Sequence, residues 1–262
     1  MAGLSSAEGL QLARQLLRPQ LPHPIHDYIL EGVCKALDGT NVLAVLKTGG
    51  GKSGYFYGYI LLITALQTLS PRCTLLKRKF PANPAMVIIF PTKGLEEEME
   101  AKFRKLSISA LAINEDTLAE ARRSKRNLWK ECIKDLSLLL LSPEQLSSPS
   151  FDTLIHNPSF RSRICGLGID EVHLVHDWGD PSFREAFRNI GLVHARMPRG
   201  TTLIAVTATL LAGRETDSLL KTLNLTPGTF FFQRRSNRRN DVQDIYRVLR
   251  HGLSGWSFPD LD

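Results

Sequence analysis

The sequence predicts an α/β fold, a central and mostly parallel sheet flanked by helices, built around a phosphate-binding loop. Two observations predict it. Short continuous apolar runs at 42–46, 86–90, 137–141, 164–169 and 202–206 are for the most part separated by helical stretches, and KTGGGKS at 47–53 stands between the first run and a helix. Apolar runs without polar alternation suit strands buried on both faces, and helices between such strands make βαβ units. The chain has 262 residues, 43% hydrophobic and 23% charged, which is ordinary globular composition and excludes a disordered or fibrous protein. With 33 Lys+Arg against 26 Asp+Glu the net charge is +7, a balance that suits nucleic acid or anionic ligands as partners.

In chain order, residues 6–18 have helical spacing and stop at Pro19, and a proline-punctuated turn leads to a second helix at 26–37, ended by Asp38-Gly39. Val42 to Leu46 is rich in the residues a buried strand prefers. A helix over 52–69, the strand 86–90, a helix over 94–105 and a strand near 107–113 follow. Next come one charged helix over 117–134, the strands 137–141 and 164–169, a helix over 182–190 and the strand 202–206. From Gln233 to Arg250 the composition turns basic, with Arg234, Arg235, Arg238, Arg239, Arg247 and Arg250, and this segment reads as the exit from the domain. Cys34, Cys73, Cys132 and Cys165 lie more than thirty positions apart, so they form no CxxC pair and read as buried thiols of a reducing compartment. Tyr55 to Leu66 is shorter than the ~20 apolar residues a membrane span needs. The N-terminus lacks the basic and apolar regions of a secretory signal. The expectation is a soluble intracellular protein with no membrane partner.

The loop carries the chemistry. Gly49, Gly50 and Gly51 let successive N–H groups face inward as an anion-binding nest, and the following helix points its partial positive charge at the same place. Lys52 is placed to reach β- and γ-phosphates, and the Ser53 hydroxyl can ligate Mg²⁺. Leu46 stands where the strict pattern GxxxxGK[ST] has its first glycine. At the end of the apolar run 164–169 come Asp170 and Glu171. The carboxyl end of a parallel strand faces the crevice where ligands bind; there Asp170 can hold the metal and Glu171 can orient and deprotonate an attacking water.

Taken in order, TGGGKS, DEVH at 170–173 and VTAT at 206–209 resemble the motifs of superfamily-two helicases, and most of all the RecQ-like DNA helicases, including divergent fungal forms. FPTKGLEEEM (90–99) resembles motif Ia and LLSPEQL (140–146) motif Ib. HLVHDWGDPSFREAF (173–187) resembles the aromatic-rich loop, and RRSNRRNDVQ (234–243) the arginine-rich strap that leaves the first lobe. The resemblance spans about 20–250 and implies a single RecA-like P-loop NTPase domain that uses ATP and Mg²⁺. It divides the chain into a lead-in at 1–24, the ATP-binding lobe at 25–232, and a basic strap or tail at 233–262 toward a second lobe. Catalysis falls to Lys52, Asp170 and Glu171, with Ser53 and Asp170 on the metal and Thr48 beside the glycines on the phosphates. His173 senses the nucleotide and passes its state to Thr207 and Thr209. Pro91, Thr92 and Lys93, with Ser142, Pro143 and Glu144, lie along DNA, while Trp178, Phe183 and Arg184 couple single-stranded DNA to the ATPase site. The implied activity is 3′-to-5′ DNA unwinding, in the nucleus.

Three departures qualify the match. Ile29 stands where the family reads adenine with glutamine, and it can neither donate nor accept, which leaves Tyr28 to stack on the base. Lys47 replaces the usual proline or alanine before the loop threonine. No second lobe follows VTAT, so the arginine finger is missing and the chain is expected to be incompetent alone. The alternative is a catalytically inactive, truncated helicase relative that binds nucleic acid, DNA or RNA, or a partner. A kinase or GTPase leaves DEVH, VTAT and SPEQL unexplained.

Overall fold

The computed structural model describes residues 3–69, 79–174, 190–238 and 242. The apolar runs form β1 (Asn41–Val45), β2 (Ala85–Ile89), β3 (Ala110–Ile113), β4 (Leu138–Leu141), β5 (Ile164–Ile169) and β6 (Thr202–Thr207), and a seventh strand, β7 (Phe230–Arg234), joins them. The order is β3-β4-β2-β5-β6-β1-β7, and every pairing is parallel. All strand carboxyl ends therefore share one edge, and the loops that carry the motifs collect there.

The helices are α1 (Ala7–Leu17), α2 (Asp27–Leu37), α3 (Gly54–Thr68), α4 (Lys93–Lys105), α5 (Glu115–Arg123), α6 (Leu128–Glu131), α7 (Pro149–His156), α8 (Pro158–Arg161), α9 (Ile190–Arg196) and α10 (Arg214–Thr222). Strand residues alternate between two apolar layers. Val42 and Ala44 join the layer of Leu30, Val33, Phe56 and Phe103, while Leu43 and Val45 join that of Phe151, Phe160, Val193 and Leu219. Burial on both faces explains why β2, β5 and β6 read as unbroken apolar runs.

Four differences from the sequence reading have physical causes. The charged helix expected over 117–134 is two helices, because Lys125 takes a left-handed φ of 54° and the Asn127 side chain accepts from Lys130 N and restarts the chain as an N-cap. The strand near 107–113 starts only at Ala110, after Ser107 at φ 59°. Pro149 and Pro158 open α7 and α8 at positions where a helix has no N–H to lose. β7 crosses the expected boundary between the lobe at 25–232 and the strap at 233–262: Phe231 is half-buried, Phe232 is 43% exposed and only Gln233 is buried. An edge strand needs only one covered face, so its apolar run is short and stops at Phe232. The helix expected over 182–190 lies outside the described residues except for Ile190, where α9 begins. Cys34, Cys132 and Cys165 are buried, and burial pushes the Cys34 and Cys132 thiols up to about 12; Cys73 lies outside the described residues.

The contact that positions the site is α3 on β5. Added Cβ atoms would come within 3.0 Å of the Tyr59 ring at Gly166 and 2.9 Å of the Phe56 ring at Gly168. Two glycines thus let α3 lie close on the strand that ends in Asp170, and Tyr59 Oη donates to Cys165 O at 2.9 Å. The phosphate loop at the start of α3 is held opposite the acidic pair.

Candidate nucleotide and nucleic-acid site

The loop leaves β1 through Leu46, whose N–H donates to Thr207 O at 2.9 Å, and turns back where Gly50 N donates to Lys47 O at 2.9 Å. Gly49 and Gly51 have φ of 77° and 79°, a region that costs glycine nothing. At Gly50 an added Cβ would lie 2.8 Å from Lys47 O. Thr48 and Gly49 are exposed. Among the described residues the N–H groups of Gly51, Lys52 and Ser53 donate to no backbone carbonyl, which leaves them as donors for an anion at the amino end of α3.

Lys52 Nζ lies 2.8 Å from Glu171 Oε1, with the two side chains 12% and 24% exposed. Glu171 has φ 46°, a strained value for a side-chain residue; its N–H donates to Asp170 Oδ1 at 2.9 Å. Glu171 Oε2 accepts from Ala208 N at 3.3 Å and lies 3.3 Å from His173 Nδ1. Burial works to raise the Glu171 pKa, but bonds from His173 and Lys52 outweigh it and hold the carboxyl at about 2. Burial and the neighbouring Glu171 charge push Asp170 up to about 6, with Lys52 opposing. Two adjacent carboxyls are thus driven apart, one firmly ionised and one ready to take a compensating cation.

His173 Nδ1 lies 2.7 Å from Thr207 Oγ1, which is 3.3 Å from Glu171 Oε2 and 3.1 Å from Thr209 O. Thr209 N donates to the same hydroxyl at 3.3 Å. The three residues assigned to coupling therefore meet at the single Thr207 hydroxyl, which has one proton to give.

Ser53 Oγ accepts from Lys102 Nζ at 2.8 Å. Among the described residues no three or more His, Cys, Asp or Glu side chains form a group that could hold a metal ion; the Ser53 hydroxyl and the Asp170 carboxyl expected on the metal are both oxygen donors. That donor set fits Mg²⁺, which keeps several waters and shares its shell with substrate phosphates.

Tyr28 Oη donates to Gly50 O at 2.8 Å. His26 stacks on Tyr28, with centroids 5.0 Å apart and planes at 10°, and the Arg235 guanidinium lies 5.0 Å over the same ring. Tyr28 and Arg235, with Arg238 and Lys47, line a cleft of about 290 Å³ beside the loop. Ile29 does no reading there: it is 1% exposed, and an added Cβ on Gly51 would meet its Cδ1 at 3.0 Å. The segment after β7 is tied back to the site, since Asn237 Nδ2 donates to Ala208 O at 2.6 Å and Arg235 N to Val45 O at 3.0 Å.

Along β2 and β4 the same edge carries the other assigned residues. Pro91 and Pro143 are buried. Thr92 caps α4 by accepting from Leu95 N at 3.4 Å, and Lys93 Nζ donates to Glu115 at 3.0 Å and Asp116 at 3.2 Å. Ser142 donates to Glu144 at 2.5 Å. Beneath them Glu96, fully buried, accepts from Asn114 Nδ2 at 3.1 Å and leaves Oε1 without a partner among the described residues. Burial pushes Glu96 up to about 8, with Asn114 opposing. Trp178, Phe183 and Arg184 lie outside the described residues. Sequence reasoning missed Lys102, Glu96, Asn114 and Asn237. Asn237, inside the strap motif, and Glu96, inside FPTKGLEEEM, carried a signal; Lys102 and Asn114 are ordinary helix-face and cap residues until the fold brings them to the edge.

A phosphate loop facing an acidic pair across the carboxyl edge of a parallel sheet defines a P-loop NTPase domain of RecA-like form. A family model for DEAD/DEAH box helicases matches residues 27–217, and the chain belongs to that family as a single RecQ-like lobe. The ATP-dependent DNA helicase RecQ of Haemophilus influenzae is 28% identical over 223 residues, 84% of this chain and 31% of that protein. RecQ of Synechocystis sp. is 30% identical over 179 residues, covering 68% and 32%. The chain thus spans about a third of these relatives. In fold it is similar to the DUF1998 helicase MrfA bound to DNA and AMPPNP (TM-score 0.60, 16% identity, 89% of this chain and 29% of that one). It is likewise similar to the DEAD-box helicase Mss116 bound to single-stranded RNA and UDP-BeF (TM-score 0.56, 17% identity, 88% and 43%). Among the described residues no helix is long and apolar enough to cross a membrane.

Proposed function

We propose that this chain is the ATP-binding lobe of a RecQ-like 3′-to-5′ DNA helicase, which couples ATP hydrolysis to movement along single-stranded DNA and to unwinding, and which does not turn over without a second lobe. The observation that carries the reading is the chain of contacts from Lys52 through Glu171 and His173 to Thr207 and Thr209. It joins the phosphate loop to the segment that resembles the family's coupling motif. The loop N–H groups and Lys52 bind the phosphates, and Ser53 and Asp170 hold Mg²⁺, which when bound neutralises phosphate charge. Glu171 is the base for water. While Lys52 and His173 hold it, it is ionised but weakly basic; transfer of Lys52 to a phosphate removes one cation and raises its proton affinity. His173 and Thr207 then lose or gain a partner, which moves the 206–209 segment. Residues 91–93 and 142–144 contact DNA backbone, the sequence-independent grip a translocating protein needs. The nucleus is the proposed location.

The test is steady-state ATP hydrolysis with and without single-stranded DNA, beside Lys52→Ala and Glu171→Gln. ATP binding without turnover, lost in Lys52→Ala, is expected. DNA-stimulated turnover abolished by both substitutions would show that a catalytic arginine is supplied within this chain or by self-association. One observation favours a second reading, an inactive nucleic-acid- or partner-binding module: Ile29 packs the loop and supplies no base reader. Absence of any ATP binding would select it.

A further inference from the structure

Residues 122–130, RRSKRNLWK, carry five cations and no carboxylate, and no helicase motif includes them. The break between α5 and α6 leaves 122–127 exposed without interruption and Trp129 half-buried. Trp129 rests on Phe151 of α7, with ring centroids 6.4 Å apart. On one side of it a groove of about 520 Å³ is lined by Arg122, Arg126 and Gln145; on the other a hollow of about 300 Å³ is lined by Lys130 and Asn157. Arg126 is held by Glu131 at 3.0 and 2.6 Å, but Arg122, Arg123, Lys125 and Lys130 form no ion pair among the described residues. Two of these unpaired cations, Arg122 and Lys130, line the hollows that Trp129 also lines, an arrangement that suits a polyanion bearing flat rings. An acidic peptide would use the cations but has no need of the indole.

The groove is continuous with the edge described above. Glu115 lines it and also accepts from Lys93, and Gln145 directly follows Ser142–Glu144. We infer that the groove between α5, α6 and α7 is a second contact region for single-stranded nucleic acid: Arg122 and Lys130 bind phosphates and Trp129 stacks a base of the strand leaving segments 91–93 and 142–144. This rests on the proposed reading of that edge as a nucleic-acid face and extends it.

The test is fluorescence anisotropy of the full chain with a fluorescein-labelled thymidine 20-mer over a range of salt. Arg122→Ala with Lys130→Ala should lower affinity about ten-fold and reduce the slope of log K against log salt by about 1.4, two contacts at ~0.7 each. Trp129→Leu, which keeps an apolar side chain on Phe151, should lower affinity about ten-fold at unchanged slope, as loss of one stacked base does. Arg18→Ala with Arg199→Ala removes the same charge from exposed positions elsewhere and should change neither. Wild-type binding retained by both groove variants would overturn the inference and leave the strand face standing. An equal loss in the Arg18/Arg199 control would also overturn it, since net charge alone would then be at work. A wild-type chain that fails to bind the 20-mer would sink the face itself, and the groove with it.

Discussion

At the end of β1, β5 and β6, Lys52, Glu171, His173 and Thr207 bond to one another across three strands. At the end of β2 and β4, these polar groups bond within their own loop or to the next helix: Thr92 to Leu95, Ser142 to Glu144, Lys93 to Glu115 and Asp116. The first arrangement lets a change at one strand end alter the others, because one carboxylate and one hydroxyl serve several partners. The second holds its loops still whatever happens next door. A coupling half and a platform half therefore share one edge, and the difference can be broken from either side.

The largest effect belongs to the coupling half. Lys52→Ala should weaken nucleotide binding by about 100-fold, two charge-assisted hydrogen bonds at ~1.5 kcal/mol each, measured by titration of a fluorescent ATP analogue. Thr207→Val keeps the strand shape but removes the shared hydroxyl, and should cost about 1–3 kcal/mol in urea unfolding because the half-buried His173 imidazole and the Thr209 N–H each lose a partner. Thr207→Ser should be close to neutral.

Glu96 tests what lies under the platform. Its carboxyl is raised from 4.5 to about 8, so between those values the folded chain keeps a proton that the unfolded chain has released. Stability should therefore fall as pH rises through that window, by at most ~1.4 kcal/mol per unit. Glu96→Gln should flatten the profile, read as melting temperature against pH. The smallest effect is expected at Lys93. Lys93→Ala should leave the melting temperature unchanged and lower single-strand affinity about two-fold, because Glu115 and Asp116 already offset its charge, exposed to solvent screening. Glu115→Gln with Asp116→Asn should raise that affinity by freeing the lysine. A large loss in Lys93→Ala would mean that the platform grips as actively as the other half couples.

Much of the coupling half was legible. Gly49 to Ser53 and Asp170-Glu171 follow apolar runs directly, and a strand end followed by glycines or carboxylates is a local pattern. The platform's partners were not. Asn114 gives no hint that its amide meets Glu96, eighteen positions away, and Lys93 reads as a free cation until α5 brings its acidic first turn alongside. The single helix expected over 117–134 failed because like charges and a capping asparagine outweighed the propensity of the flanking residues.

The sequence by itself determined the six buried strands, the phosphate loop, the acidic pair and the helicase motif order, because each depends on neighbours within a few positions and on burial that admits only apolar residues. Tertiary structure alone decided that β7 closes the sheet beside β1, that Arg235 lies over Tyr28, that Lys102 reaches Ser53 and that the Thr207 hydroxyl is shared. These contacts join segments far apart in the chain, on edges and exposed helix faces, where many residue types are tolerated and the partner is chosen by pairing order and register.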